Sequence, residues 1–249
     1  MTTPPPAVAA EAVTVHYGQI QALSQVSLTV APGRVCGLLG ANGSGKSTLF
    51  GALTGLVSIS SGRVELHGLA PDRARRRGLL AYVPQAEQVD WTFPVRVHDV
   101  VMMGRYAHMG IIRRPRAADR AAVTEALGRV GLDHLAHRQI GALSGGQRKR
   151  AFVARAVAQK ARVLLLDEPF AGVDGSSQHT LTAVLTELAA AGHTIVVSTH
   201  DLDNAAQLCD EVALLQQRVL AHGPPRSVLT PERLASAFGR AETLPEVPT

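Results

Sequence analysis

The chain is poor in aromatic residues, in charge, in cysteine and in lysine, and it has no long apolar run. Aromatics make up 4% of its 249 residues and charged residues 18%, against a hydrophobic share of 46%. So apolar a chain can bury a core, which excludes an intrinsically disordered protein. A helix needs about 20 successive apolar residues to span a bilayer. The apolar runs here, such as residues 163–166 and 195–197, have the length of buried strands. No membrane span is expected in this chain by itself. Cys36 and Cys209 lie far apart and belong to no CxxC or Cys/His group, so they read as two buried thiols. Residues 1–10 have no Lys or Arg ahead of their apolar positions, unlike a secretory leader, and a cytoplasmic location is expected. Lys46, Lys149 and Lys160 are the only lysines, so arginine carries almost all of the net charge of +5. That charge invites a nucleic-acid partner, but it reads first as compositional bias.

What is present is an α/β rhythm, of a length that suits one domain. Residues 12–17 and 26–30 alternate like antiparallel strands. The apolar run 35–39 ends in glycines and leads into residues 46–54, giving strand, glycine loop and helix. A middle region, residues 85–142, differs in texture. It holds the aromatic patch Trp91, Phe93 and Tyr106, then a helical pattern over 115–130 that Gly131 is placed to end. A helix over 147–159 precedes a strand at 163–166. A second helix, with Leu181, Val184, Leu185 and Leu188 on one face, precedes a strand at 194–198. Short apolar strands separated by helices predict a parallel sheet covered on both faces. Residues 212–215 and 219–221 read as a closing hairpin, and Thr230 with Pro231 opens a last helix to Phe238.

Gly40-Ala41-Asn42-Gly43-Ser44-Gly45-Lys46-Ser47-Thr48 matches G-x-x-x-x-G-K-[ST]. Glycines let such a loop fold around an oxyanion with its amides pointing inward, and the helix N-terminus adds partial positive charge. Gly40, Asn42, Gly43, Gly45, Lys46, Ser47 and Thr48 are therefore the candidate phosphate cradle. Within it Lys46 would neutralise the β- and γ-phosphates, and the Ser47 hydroxyl would ligate Mg²⁺. The strand ending in Asp167-Glu168 supplies the acidic half. Asp167 can reach the metal shell, and Glu168 can orient or deprotonate a water in line with the γ-phosphate. Gly145 and Gly146 precede a helix, so Ser144 and the neighbouring amides form a second anion-seeking end. Two such ends on one chain suggest that they meet across a dimer.

Leu143-Ser144-Gly145-Gly146-Gln147, lying between the P-loop and the Asp-Glu strand, resembles the signature of ABC ATPases. The similarity covers about residues 8–240. Tyr17 resembles the aromatic residue that stacks on adenine, Gln85 the Q-loop, Asp174 the D-loop and His200 the switch histidine. The resemblance implies a P-loop NTPase core, with a mixed, largely parallel sheet, an N-terminal antiparallel β subdomain and a helical subdomain. It implies one domain over 1–240, with 85–142 as the inserted helical subdomain and 241–249 as a flexible tail. Glu168, His200 and Gln85 are then the catalytic candidates. Tyr17, the P-loop residues, Ser144, Gly146 and Asp174 bind ATP, and Ser47, Gln85 and Asp167 serve Mg²⁺. The implied partners are a second copy of the chain around ATP, an integral-membrane permease and an extracytoplasmic substrate-binding protein. The implied place is the cytoplasmic face of the membrane.

Residues 89–94, 103–106 and 170–174 resemble the subgroup that serves importers of manganese, zinc or iron, though siderophore and cobalamin importers share much of the middle region. Trp91 to Tyr106 is the expected permease-docking patch. The rival class, a soluble ABC ATPase acting on nucleic acid or ribosomes, usually has two ATPase domains or long coiled coils. This chain has one copy, and no aromatics interleave its basic run Arg73, Arg75, Arg76 and Arg77. Nucleic acid is not an expected partner. Arg148 and Lys149 stand where relatives often have Gln, and are expected to point along the helix beyond the phosphate end. His134 and His137 have no Cys or carboxylate cluster beside them, so Mg²⁺ is the one metal expected.

Overall fold

The computed structural model describes residues 5–85, 93–110 and 113–238. Two sheets organise these residues. In the first, β1 (Val8–Tyr17) lies between β2 (Ile20–Val30) and a third strand, Ser61–Leu66, antiparallel to both. The second contains β3 (Val35–Leu39), and Ser61–Leu66 counts as β4 in chain order. The other strands are β5 (Leu80–Val83), β6 (Val163–Asp167), β7 (Thr194–Thr199), β8 (Glu211–Gln216) and β9 (Arg218–Gly223). Their order across the second sheet is β5-β6-β7-β3-β8-β9, parallel except for the hairpin strand β9.

Alternation along the strands separates two cores. Leu38, Leu165, Val196 and Leu215 join the cluster beneath helix α1 (Lys46–Thr54) and the antiparallel sheet. Leu39, Leu164, Leu166, Ile195 and Val197 face the opposite side, towards helices of the middle and C-terminal parts. Successive strand side chains point to opposite faces, so a strand buried on both reads as an unbroken apolar run. After α2 (Pro71–Arg76) come α3 (Val97–Met103), α4 (Ala117–Arg129), α5 (Gly145–Ala158) and α6 (Gly175–Ala190). The chain then forms α7 (Leu202–Leu208), α8 (Pro225–Val228) and α9 (Pro231–Phe238). Helices α3 and α4 pack on α5.

Several boundaries differ from the sequence reading, for local reasons. β1 starts at Val8 because Val8, Ala9 and Ala10 find partners on both neighbouring strands. Helix α5 begins inside the signature. Ser144 Oγ accepts from the Gln147 amide at 3.3 Å and the Ser144 amide donates to Gln147 Oε1 at 3.0 Å, a reciprocal capping box. Gly131, in a left-handed turn (φ +65°), follows α4 as expected. The stretch 103–106 divides between surface and interior. Phe93, Met103 and Tyr106 are exposed, whereas Arg105 is buried and donates from Nε to Asp119 Oδ1 at 3.0 Å and from Nη1 to the Ala158 carbonyl at 2.8 Å. Trp91 and the tail 241–249 lie outside the described residues. Cys36 and Cys209 are free and buried, as expected, and burial pushes the Cys209 thiol up to about 12. Among the described residues no helix is long and apolar enough to cross a membrane.

Candidate functional site

Strand order assembles the site. β7 runs between β6 and β3, so the loop after Leu39, the pair Asp167-Glu168 and His200 emerge side by side at the carboxyl edge of the sheet. That edge is where open α/β sheets hold their ligands. Gly40 turns the chain out of β3. A Cβ there would stand 2.2 Å from the Leu215 carbonyl and 2.6 Å from Ser44 Oγ, which leaves room for glycine alone. Gly45 caps α1 with φ +101°, a conformation that side-chain-bearing residues rarely adopt.

Lys46 curls back into the loop it anchors, donating from Nζ to the Gly40 carbonyl at 2.7 Å and to that of Ala41 at 3.1 Å. Burial lowers its pKa, and the carboxylates of Glu168 and Asp167 pull it back up. Asp167 is gripped on both oxygens. Ser47 Oγ donates to Oδ2 at 2.8 Å, and Ser198 Oγ donates to Oδ1 at 2.5 Å. Ser47 and Asp167 thus present a hydroxyl and a carboxylate on one cleft wall, a hard-oxygen donor set that fits Mg²⁺.

Glu168 is buried, with a backbone φ of +50°, a left-handed conformation for a residue with a side chain. Three contacts hold it there. Its amide donates to Ser198 Oγ at 2.9 Å, its Oε2 lies 2.9 Å from His200 Nδ1, and its carbonyl accepts from Lys149 Nζ at 2.7 Å. This corrects the expectation for Lys149. It does not point away along the helix; it folds under the acidic pair, where burial lowers its pKa against the pull of Glu168 and Asp167. Arg148 donates to the Gly141 carbonyl at 2.7 Å.

Asn42, Gly43, Gly45, Lys46, Ser47, Thr48, Gln85, Asp167, Glu168 and Ala22 line one cleft of about 430 Å³. A polyphosphate and its cation fit such a volume. His200 joins it through Glu168, with 68% of its side chain exposed. Tyr17, at the end of β1, is half exposed and is not part of this lining. Neither are Ser144, Gly146 and Asp174. A Cβ on Gly146 would come within 2.9 Å of Asp174 Oδ2, so the signature packs directly on the start of α6. Asp174 caps that helix. It accepts from the Ser177 amide at 2.9 Å, Ser176 Oγ at 2.8 Å and Ser177 Oγ at 2.9 Å, which together hold its carboxyl down to about 2. A second, more apolar cleft is lined by Val83, Pro84, Phe152, Val153 and Lys149 among others. Gln85 and Asp167 line both clefts.

Sequence reasoning did not assign Ser198, Lys149 or Ala22 to the site. Ser198 had a signal, as the residue two before His200 on a strand beside the acidic one. Lys149 had none, because its target is a backbone carbonyl.

The sequence pattern of the ABC transporter family matches residues 23–171. The chain is 48% identical to the manganese transport system ATP-binding protein MntA of Synechocystis sp., over 93% of this chain and 90% of that one. It is also 48% identical to the chelated iron transport system membrane protein YfeB of Yersinia pestis, over 94% of this chain and 79% of that one. Among solved structures, a nucleotide-free ATP-binding cassette from an ABC transporter superposes with a TM-score of 0.82 at 25% identity, over 94% of this chain and 100% of the other.

Proposed function

The chain belongs to the ABC transporter family, and from that premise we propose that it binds and hydrolyses ATP to drive uptake of a divalent metal ion (manganese, zinc or iron) through a separate permease. The observation that carries the chemistry is the convergence of a phosphate cradle with Asp167, Glu168 and His200 on one sheet edge. The manganese-transport and chelated-iron relatives carry the cargo reading. A siderophore- or cobalamin-type cargo is the second reading, and the chelated-iron relative is compatible with it as well.

In this mechanism the P-loop amides and the amino end of α1 receive the phosphates, and Lys46 exchanges its two carbonyl partners for phosphate oxygens. Ser47 and Asp167, with Gln85 nearby, would hold Mg²⁺, which when bound neutralises charge on the β- and γ-phosphates. Glu168 takes the proton of the attacking water, and His200 orients the Glu168 carboxylate while facing the γ-phosphate. Tyr17 stacks on adenine. Ser144, Gly146 and Asp174 stand away from their own chain's cleft, which suits a role on the nucleotide of a second copy, in a two-fold sandwich. Gln85 borders both clefts, so the occupancy of one can be sensed at the other. The exposed Phe93, Met103 and Tyr106 suit docking of a permease helix at the cytoplasmic face, with an extracytoplasmic protein delivering the cargo. Within the basic run, Arg75 donates to the Thr54 carbonyl at 2.9 Å, and no aromatic side chains interleave the run as a single-strand platform would need.

Losing a positioned base costs about 10²–10⁴ in rate. Glu168→Gln should therefore lose hydrolysis to that extent and keep ATP binding, while Lys46→Ala loses both, measured by phosphate release and nucleotide binding. Wild-type turnover in Glu168→Gln would refute the mechanism. Unchanged metal-limited growth of a host carrying either variant would refute the transport role.

A further inference from the structure

At the end of the sheet opposite the phosphate cleft, three neighbouring strands bring together Cys36, Glu211 and His222. Cys36 is the second residue of β3 and is in register with Glu211, the first residue of β8. His222 on β9 is in register with Ala213, two residues after Glu211. Residues two apart on a strand share a face, as do residues in register on neighbouring strands. The three side chains therefore converge on one side of the sheet, and a sulfur, a carboxylate oxygen and a ring nitrogen all lie within 4.8 Å of one another.

His222 Nε2 lies 3.2 Å from Glu211 Oε2. The other carboxylate oxygen, Oε1, is buried and has no hydrogen-bond partner among the described residues. Cys36 is fully buried, and its thiol makes a weak 3.9 Å contact with the Gly37 carbonyl. Ordinary packing explains a buried thiol, and an ion pair explains one carboxylate oxygen. Neither explains the buried, unpartnered second oxygen of Glu211, since such atoms are nearly always satisfied.

We propose that Cys36, Glu211 and His222 form a binding site for a divalent cation of the zinc class, with sulfur, oxygen and nitrogen from the chain and a fourth position open to water. Zinc bonds of about 2.0–2.3 Å to such ligands set them roughly 3.3–3.6 Å apart in a tetrahedron. The Glu211–His222 pair, at 3.2 Å, is just inside that spacing, and the thiol needs to close by about 1.2–1.5 Å at most. A thiolate donor selects zinc over magnesium or manganese, so the site does not compete for the cation of the nucleotide cleft. The Glu211 and His222 side chains are 22% and 25% exposed, which gives a path from solvent to the buried sulfur. Metal binding here requires neither ATP hydrolysis nor transport by the chain.

Co²⁺, added to the metal-stripped full chain as a spectroscopic stand-in for Zn²⁺, tests it. One Co²⁺ per chain is expected, with a near-ultraviolet thiolate-to-cobalt charge-transfer band and the visible bands of a tetrahedral ion, both removed by one equivalent of Zn²⁺. Cys36→Ser should abolish the charge-transfer band, and His222→Ala should weaken binding by about tenfold or more. Cys209→Ala and a His134→Ala/His137→Ala double variant should leave the band in place. Circular dichroism checks that each variant folds; if Cys36→Ser does not, the partly exposed His222→Ala decides. No bound Co²⁺, no sulfur band, or a His222→Ala titration matching the wild type would overturn the proposal.

Discussion

Glu168 is the most constrained residue of the candidate site, fixed at its amide by Ser198, at its carbonyl by Lys149 and at its carboxylate by His200. A left-handed backbone at a residue with a side chain costs about 1–3 kcal/mol and persists only where surrounding contacts hold it. Lys149 is one of those contacts, and it reaches Glu168 from the signature helix, not from the acidic strand. Lys149→Met should lower kcat by about 10–100-fold, the effect of misplacing a catalytic group by an ångström, with little change in ATP affinity. Lys149→Arg should recover part of the rate; equal loss of rate in both variants would argue against a positioning role. Asp167 and Glu168 were legible in the sequence as acids ending an apolar strand. The grip on them was not, because two of its members are side chains aimed at backbone atoms.

Capping decides how the site is divided among elements. Asp174 opens α6, and its carboxyl is held down to about 2 by the Ser177 amide and two serine hydroxyls, below the ordinary 3.8. A folded-state pKa below the unfolded one means that the stabilisation is complete above about pH 4 and is lost as pH falls towards 2. Melting temperature followed over that window should therefore decline less steeply in Asp174→Asn, which keeps a cap but cannot titrate. Between α3 and α4 the junction is the buried Arg105–Asp119 pair. Removing one member of a buried pair strands the other charge, whereas exposed pairs contribute little. Arg105→Met should lower the melting temperature clearly, while Arg34→Met, at the exposed Arg34–Asp210 pair, should barely move it. Helix α4 was legible to within two residues because its apolar period and closing glycine are local signals. The start of α5 was not, since the period begins at Gln147 while the cap sits at Ser144.

Taken whole, the molecule lines its P-loop cleft with one of its two groups of candidate nucleotide contacts. The P-loop cleft lacks Ser144, Gly146 and Asp174, and a two-fold pair of chains would complete both sites at once. Glu168→Gln, if it holds ATP without cleaving it as proposed, should run at twice the 26.2 kDa chain mass in scattering-coupled gel filtration with ATP and Mg²⁺, and at the single mass without nucleotide. A monomer in both conditions would contradict the sandwich. The sequence alone determined the elements that depend on neighbours along the chain: β3, the glycine loop and α1, the Asp-Glu strand and the apolar helical faces. Periodicity, caps and tight loops are short-range physics, and they are written in consecutive residues. Only the tertiary structure decided what stands beside what. Placing β7 between β3 and β6 sets His200 against Glu168, and the pairing of β3 with β8 brings Cys36 to Glu211 and His222 of the β8–β9 hairpin. The missing aromatics, lysines and long apolar runs bounded what the chain could be. Strand order, set above all by the pairing of β3 with β7 and β8 more than a hundred positions along the chain, decided where its chemistry lies.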